Sequence, residues 1–186
     1  YINSWVFPNC TSMASMFLSN IVFDQPLDNW TMTNVQNISG MFSNAQSFNQ
    51  NIGGWDVSSV TDMSDLFRNA NSFNQDLSSW DTSSVTDMSG MWAFKGGAYS
   101  YLFGSWSIAS LQNATQFTTS NALFFTTAVY DDMLDSTTGW ASQATIQNNV
   151  SLGVGNTQYT SGGNAEAGRN ILTGTYGWTI TDGGPV

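Results

Sequence analysis

The sequence contains no histidine, one cysteine and three positively charged residues, and each scarcity removes a class of function. Without histidine, neither a Ser-His-Asp nor a Cys-His catalytic set can be built, nor a His-ligated zinc site. Cys10 has no second cysteine with which to form an internal disulfide, so the redox compartment is not legible. Arg68, Lys95 and Arg169 stand against 13 acidic residues, for a formal net charge of −10. Such a chain has no basic patch to neutralise phosphates, which excludes nucleic acid and disfavours an anionic membrane surface. No run of about 18 apolar residues spans a membrane, and no basic-then-apolar leader opens the chain. Because the chain starts at Tyr1 and not at Met, removal of a leader or upstream segment is expected.

What is present is apolar and periodic. Hydrophobic residues make up 41 % of the chain and charged residues only 9 %, so a packed core is expected and disorder is not. Solubility falls to Asn, Ser, Thr, Gln and Gly, a surface that leans toward secreted and cell-surface proteins. The string WDVSSVTDM at residues 55–63 returns as WDTSSVTDM at 80–88. Trp5, Trp30, Trp55 and Trp80 are 25 residues apart, and Trp106 follows after 26. Other apolar columns keep step with them. One holds Cys10, Val35, Val60, Val85 and Leu111. A second holds Met13, Ile38, Met63 and Met88, and a third Phe17, Phe42, Phe67 and Trp92. Phe23, Phe48, Phe73 and Phe124 align, as do Leu27, Ile52, Leu77 and Leu102.

Within one copy, Val60, Met63, Phe67 and Ala70 follow helical spacing, with Ser59 and Asp62 placed as a capping box. Phe73, Gln75 and Leu77 alternate like one face of a short strand. These patterns predict an α/β repeat solenoid of about five 25-residue strand–turn–short-helix coils over residues 1–129, the last two coils degenerate. A C-terminal capping segment is expected over 130–186, with helices in YDDMLDSTTGW and NAEAGRNIL and a strand and turn in GWTITDGG. The Trp, Val, Met and Phe columns are expected to point inward.

The stretch LFRNANSFNQDLSSWDTSSVTDMSGMW at 66–92, with Trp-Asp, Val-Thr-Asp-Met and Phe-Asn-Gln in order, resembles the BspA-like surface-protein repeats, also called Mycoplasma-lipoprotein-like. The tail YTSGGNAEAGRNILTGTYGWTITDGG resembles the segment that ends such arrays. The likeness covers most of the chain, best over residues 30–92 and 150–184. It implies a leucine-rich-repeat-like solenoid on secreted or surface-anchored proteins with roles in adhesion and host or matrix contact. It implies no enzyme activity and no cofactor. Two departures stand out: the fourth and fifth copies are degenerate, and Cys10 stands where the next copies have Val.

Candidate sites are few, and each has a structural reading beside it. Asp56 with Asp81, and Asp62 with Asp87, form columns that a Ca²⁺ ion could bridge, or else they close turns and complement helix N-termini. Asp131, Asp132 and Asp135 are expected in the first turns of a helix, where its dipole favours them. Asp24, Asn49 and Asn74, with Gln25, Gln50 and Gln75 beside them, bind a ligand or cap backbone groups. The Trp column is a sugar-stacking stripe or core, and Thr61 with Thr86 is too irregular a pair for an ice-binding ladder. Glycosylation candidates are Asn9, Asn29, Asn37, Asn113 and Asn149.

The function expected is a non-enzymatic extracellular or cell-surface recognition and adhesion module for a protein or glycan ligand. Its site would be one face of the array plus the irregular residues 93–104. The alternative is a structural subunit of an extracellular filament or appendage. Trp5, Phe7, Met13, Met16 and Phe17 start the array in full register with no polar cap before them, so self-assembly through that coil is expected.

Overall fold

A computed structural model describes residues 2–93, 99–119 and 125–186. Its regular elements are strand β1 (Asn113–Thr118), helix α1 (Thr127–Leu134), strand β2 (Ser151–Val154), helix α2 (Asn164–Gly174) and strand β3 (Thr179–Thr181). Short 3-10 segments lie at Ile2–Ser4 and Trp140–Ser142. The strands form one open parallel sheet in the order β1-β2-β3, with a bulge in β1 between Ala114 and Thr118.

This corrects the expected fold. The chain is not an α/β repeat solenoid of leucine-rich-repeat type, because the described repeat residues before Asn113 contain no α-helix and no strand beyond isolated bridges. The reason lies in the backbone. Ser15, Gly40, Asp65 and Gly90 take φ between 54° and 63°, and Ser19, Asn44 and Asn69 take φ between 56° and 60°. A left-handed residue every fourth position ends a helix before one turn closes. The apolar spacing that reads as a helical stripe therefore folds as consecutive turns. Ser59 and Asp62 cap no helix, and Phe73, Gln75 and Leu77 lie in no strand.

Those turns leave alternate N–H groups pointing out of the copy. Ser15, Phe17 and Ser19 donate to the carbonyls of Ser39, Met41 and Ser43, and Asp65, Phe67 and Asn69 donate likewise to Ser89, Met91 and Ala93. The N–H groups between them close turns, as in Leu18 to Ser15 and Asn20 to Phe17. Parallel bridges join Ser12, Asn37, Asp62, Asp87 and Asn113 in turn, and β2 and β3 continue the line through Ser151 and Thr179.

The columns between these pairings are buried. Phe42, Phe48, Phe67, Phe73, Val60, Met63 and Leu77 have no exposed surface, and rings of adjacent copies stack at 5.6–5.9 Å from Phe17 to Phe42 to Phe67 and from Phe23 to Phe48 to Phe73. Trp30, Trp55, Trp80 and Trp106 are buried too, which removes the sugar-stacking reading for them. Each indole N–H finds a carbonyl of the copy before it: Ile2, Leu27, Ile52 and Leu77 accept at 2.9–3.1 Å. A buried Trp needs such an acceptor, and the repeat supplies it 28 residues back, or 29 for Trp106 after the one-residue insertion. Trp140 and Trp178 make the same kind of bond to Phe103 and Gln147.

Three positions depart from the expected columns. Trp5 is 49 % exposed and Met16 is 38 % exposed, because none of the described residues covers that face of the first copy. Leu102 is 49 % exposed while Phe103 is fully buried. Phe103, three before Trp106, is the true counterpart of Leu77 before Trp80, and the N–H of each Trp donates to it. Phe124 lies outside the described residues, as do 94–98 of the irregular stretch 93–104.

Beyond the sheet, α1 holds the Tyr130–Leu134 part of its expected segment and packs against α2, which holds NAEAGRNILTG. Gly168 makes that contact possible: a Cβ there would overlap the carbonyl oxygen of Leu134. One apolar cluster runs from Met13 to Trp178.

Candidate functional site

The acidic columns hold turns together. Asp62 Oδ1 accepts from the Ser64 N–H (2.9 Å) and hydroxyl (2.7 Å), while its Oδ2 accepts from Asn37 Nδ2 at 3.3 Å. Asp87 Oδ1 accepts from the Ser89 N–H at 2.7 Å and its Oδ2 from Asn113 Nδ2 at 3.1 Å. Asn37 and Asn113 repeat the turn with Ser39 and Thr115. These are Asx turns, in which a side-chain oxygen stands in for a backbone carbonyl. Asp56 and Asp81, both exposed, close the same turn on Ser58 and Ser83. No helix begins there, so the dipole explanation for Asp62 and Asp87 is corrected to turn closure. Among the described residues, no three His, Cys, Asp or Glu side chains are grouped to hold a metal ion.

The second polar row is also occupied. Asp24 Oδ1 accepts from the Asn49 N–H at 2.9 Å and from Gln50 Nε2 at 2.8 Å; Asn49 Oδ1 accepts from Asn74 and Gln75 in the same way. Side chains of one copy thus satisfy backbone of the next, along an exposed edge.

Asp131, Asp132 and Asp135 line an open cavity of about 500 Å³ with Thr160 and Asn164. They stand in the last turn of α1 and at its C-cap, the wrong end for a dipole interaction, which corrects that expectation. Their partners explain them instead. Asp131 accepts from the Thr160 N–H and hydroxyl, Asp132 from the Gly104 N–H, and Asp135 from Thr137, Thr138 and Asn164.

These turn carboxylates set an acid limit. Hydrogen bonds from the Ser58 hydroxyl and N–H hold Asp56 below the usual carboxylate range, those from Ser83 do the same for Asp81, and those from Thr137 hold Asp135 far below it. A depressed folded-state pKa adds stability above the unfolded value of about 4, and that stability is lost as pH falls toward the folded value. Asp56 and Asp81 are exposed and Asp135 is half-buried, so solvent screening holds their joint contribution to about 1–2 kcal/mol. The melting temperature should therefore drop roughly 2–8 °C between pH 6 and pH 2.5, and Asp135→Asn should flatten part of that drop. An unchanged melting temperature would rule these turns out as the acid-sensitive element.

One cluster is invisible in the sequence pattern. Arg169 Nε donates to Asp182 Oδ2 at 2.8 Å and its Nη2 to Oδ1 at 3.3 Å, while the Tyr130 hydroxyl donates to the same Oδ2 at 2.8 Å. The guanidinium lies 5.5 Å from the centre of the Tyr159 ring. Burial, reinforced by the Asp182 charge, holds the Tyr130 hydroxyl well above its ordinary pKa, so it stays a donor. The network ties α1, α2 and the turn after β3. The one available signal was the rarity of cations: an Arg in so acidic a chain has a committed partner.

Of the sequons, Asn9, Asn29 and Asn149 are exposed, whereas the amides of Asn37 and Asn113 are engaged by Asp62 and Asp87. Cys10 is a free thiol whose Sγ lies 3.1 Å from the Ser12 carbonyl oxygen. Among the described residues, no helix is long and apolar enough to cross a membrane.

A protein family described as "Mycoplasma protein of unknown function, DUF285" matches residues 11–132. No curated protein and no solved structure matches the chain.

Proposed function

We propose, from the premise that this chain belongs to the DUF285 family of Mycoplasma-type proteins of unknown function, that it is a non-enzymatic recognition and adhesion module at a cell surface or outside the cell. The resemblance of residues 66–92 and of the tail to BspA-like surface proteins makes this finer than the family description. One observation carries it. The carboxylates of Asp24, Asp62, Asp87 and Asp131 already serve the chain's own backbone and turns, and beyond Asp24 the Asn and Gln row along the exposed edge is uncharged. Such faces suit contact with a ligand through neutral hydrogen bonds, and the rigid buried columns hold them in register.

The face of the first copy favours a second reading, a structural subunit of an extracellular filament. Val6, Leu18, Ile21 and Val22 are 50–78 % exposed there. Among the described residues, no backbone N–H donates to the carbonyls of Ala14, Met16 and Leu18, whereas those of Ser39, Met41 and Ser43 accept one each. A chain growing through this face needs a different surface as its complement. The edge of β3 suits that poorly, being three residues long and closely followed by Pro185.

Labelled protein applied to arrays of matrix proteins and glycans decides between them, with light scattering on the same samples. Saturable binding by a monomer supports recognition. No ligand above background, with assemblies that Val22→Asp abolishes, supports the filament and sinks recognition.

A further inference from the structure

We infer that two copies of this protein pair through the apolar rim of the first repeat copy, residues 2–24, each presenting the same surface to the other. The inference goes beyond the recognition reading and does not depend on it. Among the described residues, most of the exposed large apolar side chains gather in that copy: Trp5, Val6, Met16, Leu18, Ile21 and Val22.

The uncovered end of the copy explains only some of them. Trp5, Met16 and Leu18 correspond to Trp30, Met41 and Ser43, which are buried between copies, so their exposure follows from the open end. Val6, Ile21 and Val22 are different. The Ser47 N–H donates to the Ile21 carbonyl as the Ser72 N–H does to that of Gln46, which makes Ile21, Gln46 and Asn71 equivalent places. Val22, Ser47 and Ser72 are the places beside them. Gln46 and Ser47 stay exposed although a copy lies on either side of them. Val6 corresponds to Thr31, Asp56 and Asp81, which are exposed as well. These rim places therefore face water in a covered copy too, and the later copies fill them with polar or charged residues. Only the first copy fills them with Val, Ile and Val, 54–78 % exposed. A clustered apolar rim of this kind marks a contact surface, and a further repeat stacked on the end would leave it in water.

Charge selects the occupant. Residues 2–23 hold no charged side chain in a chain of net charge −10. The carboxylates next along the chain are already engaged: Asp24 accepts from the Asn49 N–H and Gln50, and Asp28 from Asn3. Like-charge repulsion opposes contact between two copies except where charge is absent. Docking the rim on a later copy would press apolar side chains against exposed carboxylates such as Asp56 and Asp81 and desolvate them at a cost. Rim against rim buries apolar surface on apolar surface, so the contact is isologous and closes at two molecules. A closed pair consumes the face through which a filament would grow, and it offers a surface-bound ligand two recognition modules at once.

Sedimentation velocity over a wide range of protein concentration tests the pairing. A monomer–dimer equilibrium is expected, with no larger species. Ile21→Gln/Val22→Ser installs the residues that the next copy holds at the same places, and it should raise the dimer dissociation constant about tenfold or more. Val6→Thr, chosen in the same way, serves should the double variant fail to fold. A monomer at every concentration overturns the pairing, and so does a dimer that neither variant weakens. Assemblies larger than a dimer overturn it and leave the filament reading standing. A protein that stays monomeric yet co-sediments with phosphatidylcholine vesicles assigns the rim to a lipid surface and overturns the pairing as well. Binding of the monomeric variant to matrix proteins and glycans tests recognition separately, so either reading can fail without the other.

Discussion

Phe67→Ala is expected to lower the unfolding free energy by about 3–5 kcal/mol. The ring is fully buried and touches aromatic rings on several sides, with centroids of Phe73 at 4.1 Å, Trp92 at 4.8 Å, Phe42 at 5.9 Å and Trp80 at 6.5 Å. Removing it costs the transfer energy of the ring and leaves a cavity that neighbours cannot fill. Phe42 and Phe67 belong to backbone segments hydrogen-bonded from one copy to the next, so moving either to close the gap breaks those bonds. The upper half of the range is therefore favoured, because the cost rises with the cavity that survives relaxation. Urea unfolding gives the measurement, with Phe67→Leu as the smaller-cavity control. A loss under about 1 kcal/mol would mean that the ring stack is not continuous at this position.

The second large effect belongs to the Arg169–Asp182 pair. Asp182 keeps only 4 % of its side-chain surface, Arg169 22 %. Truncating Arg169→Ala leaves a buried carboxylate with the Tyr130 hydroxyl and the Gly184 N–H as its remaining donors. Breaking a buried pair by removing one partner costs about 3–5 kcal/mol, and partial exposure of the guanidinium lowers the expectation to roughly 2–4 kcal/mol. The double variant Arg169→Met/Asp182→Leu should recover part of that loss, because it removes the stranded charge as well. A double-mutant cycle by thermal or urea unfolding measures the coupling. Additive losses in the two single variants would show that the pair contributes by packing alone.

Both predictions bear on how much of this protein was legible before its structure. The period of 25 was written in the sequence, and so were the residues that enter the core: Val35, Val60, Val85, Met63, Met88 and the Phe pairs are all buried. Apolar side chains must leave water whatever backbone carries them, so burial followed from composition and spacing. Local patterns also marked α2 in NAEAGRNIL and β3 in GWTITDGG. The backbone of the copies was decided only in three dimensions. Val60, Met63, Phe67 and Ala70 have helical spacing, but a helix spends its N–H groups four residues back. Here Asp65 and Asn69 adopt left-handed φ and alternate N–H groups bond 24 residues ahead, an option that exists only once the neighbouring copy is in place. The same holds for Phe103 in place of Leu102, for the bulge at Gln116 over Gly153, and for Arg169 meeting Asp182. Each depends on a partner brought near by packing, and no pattern local to the chain encodes it.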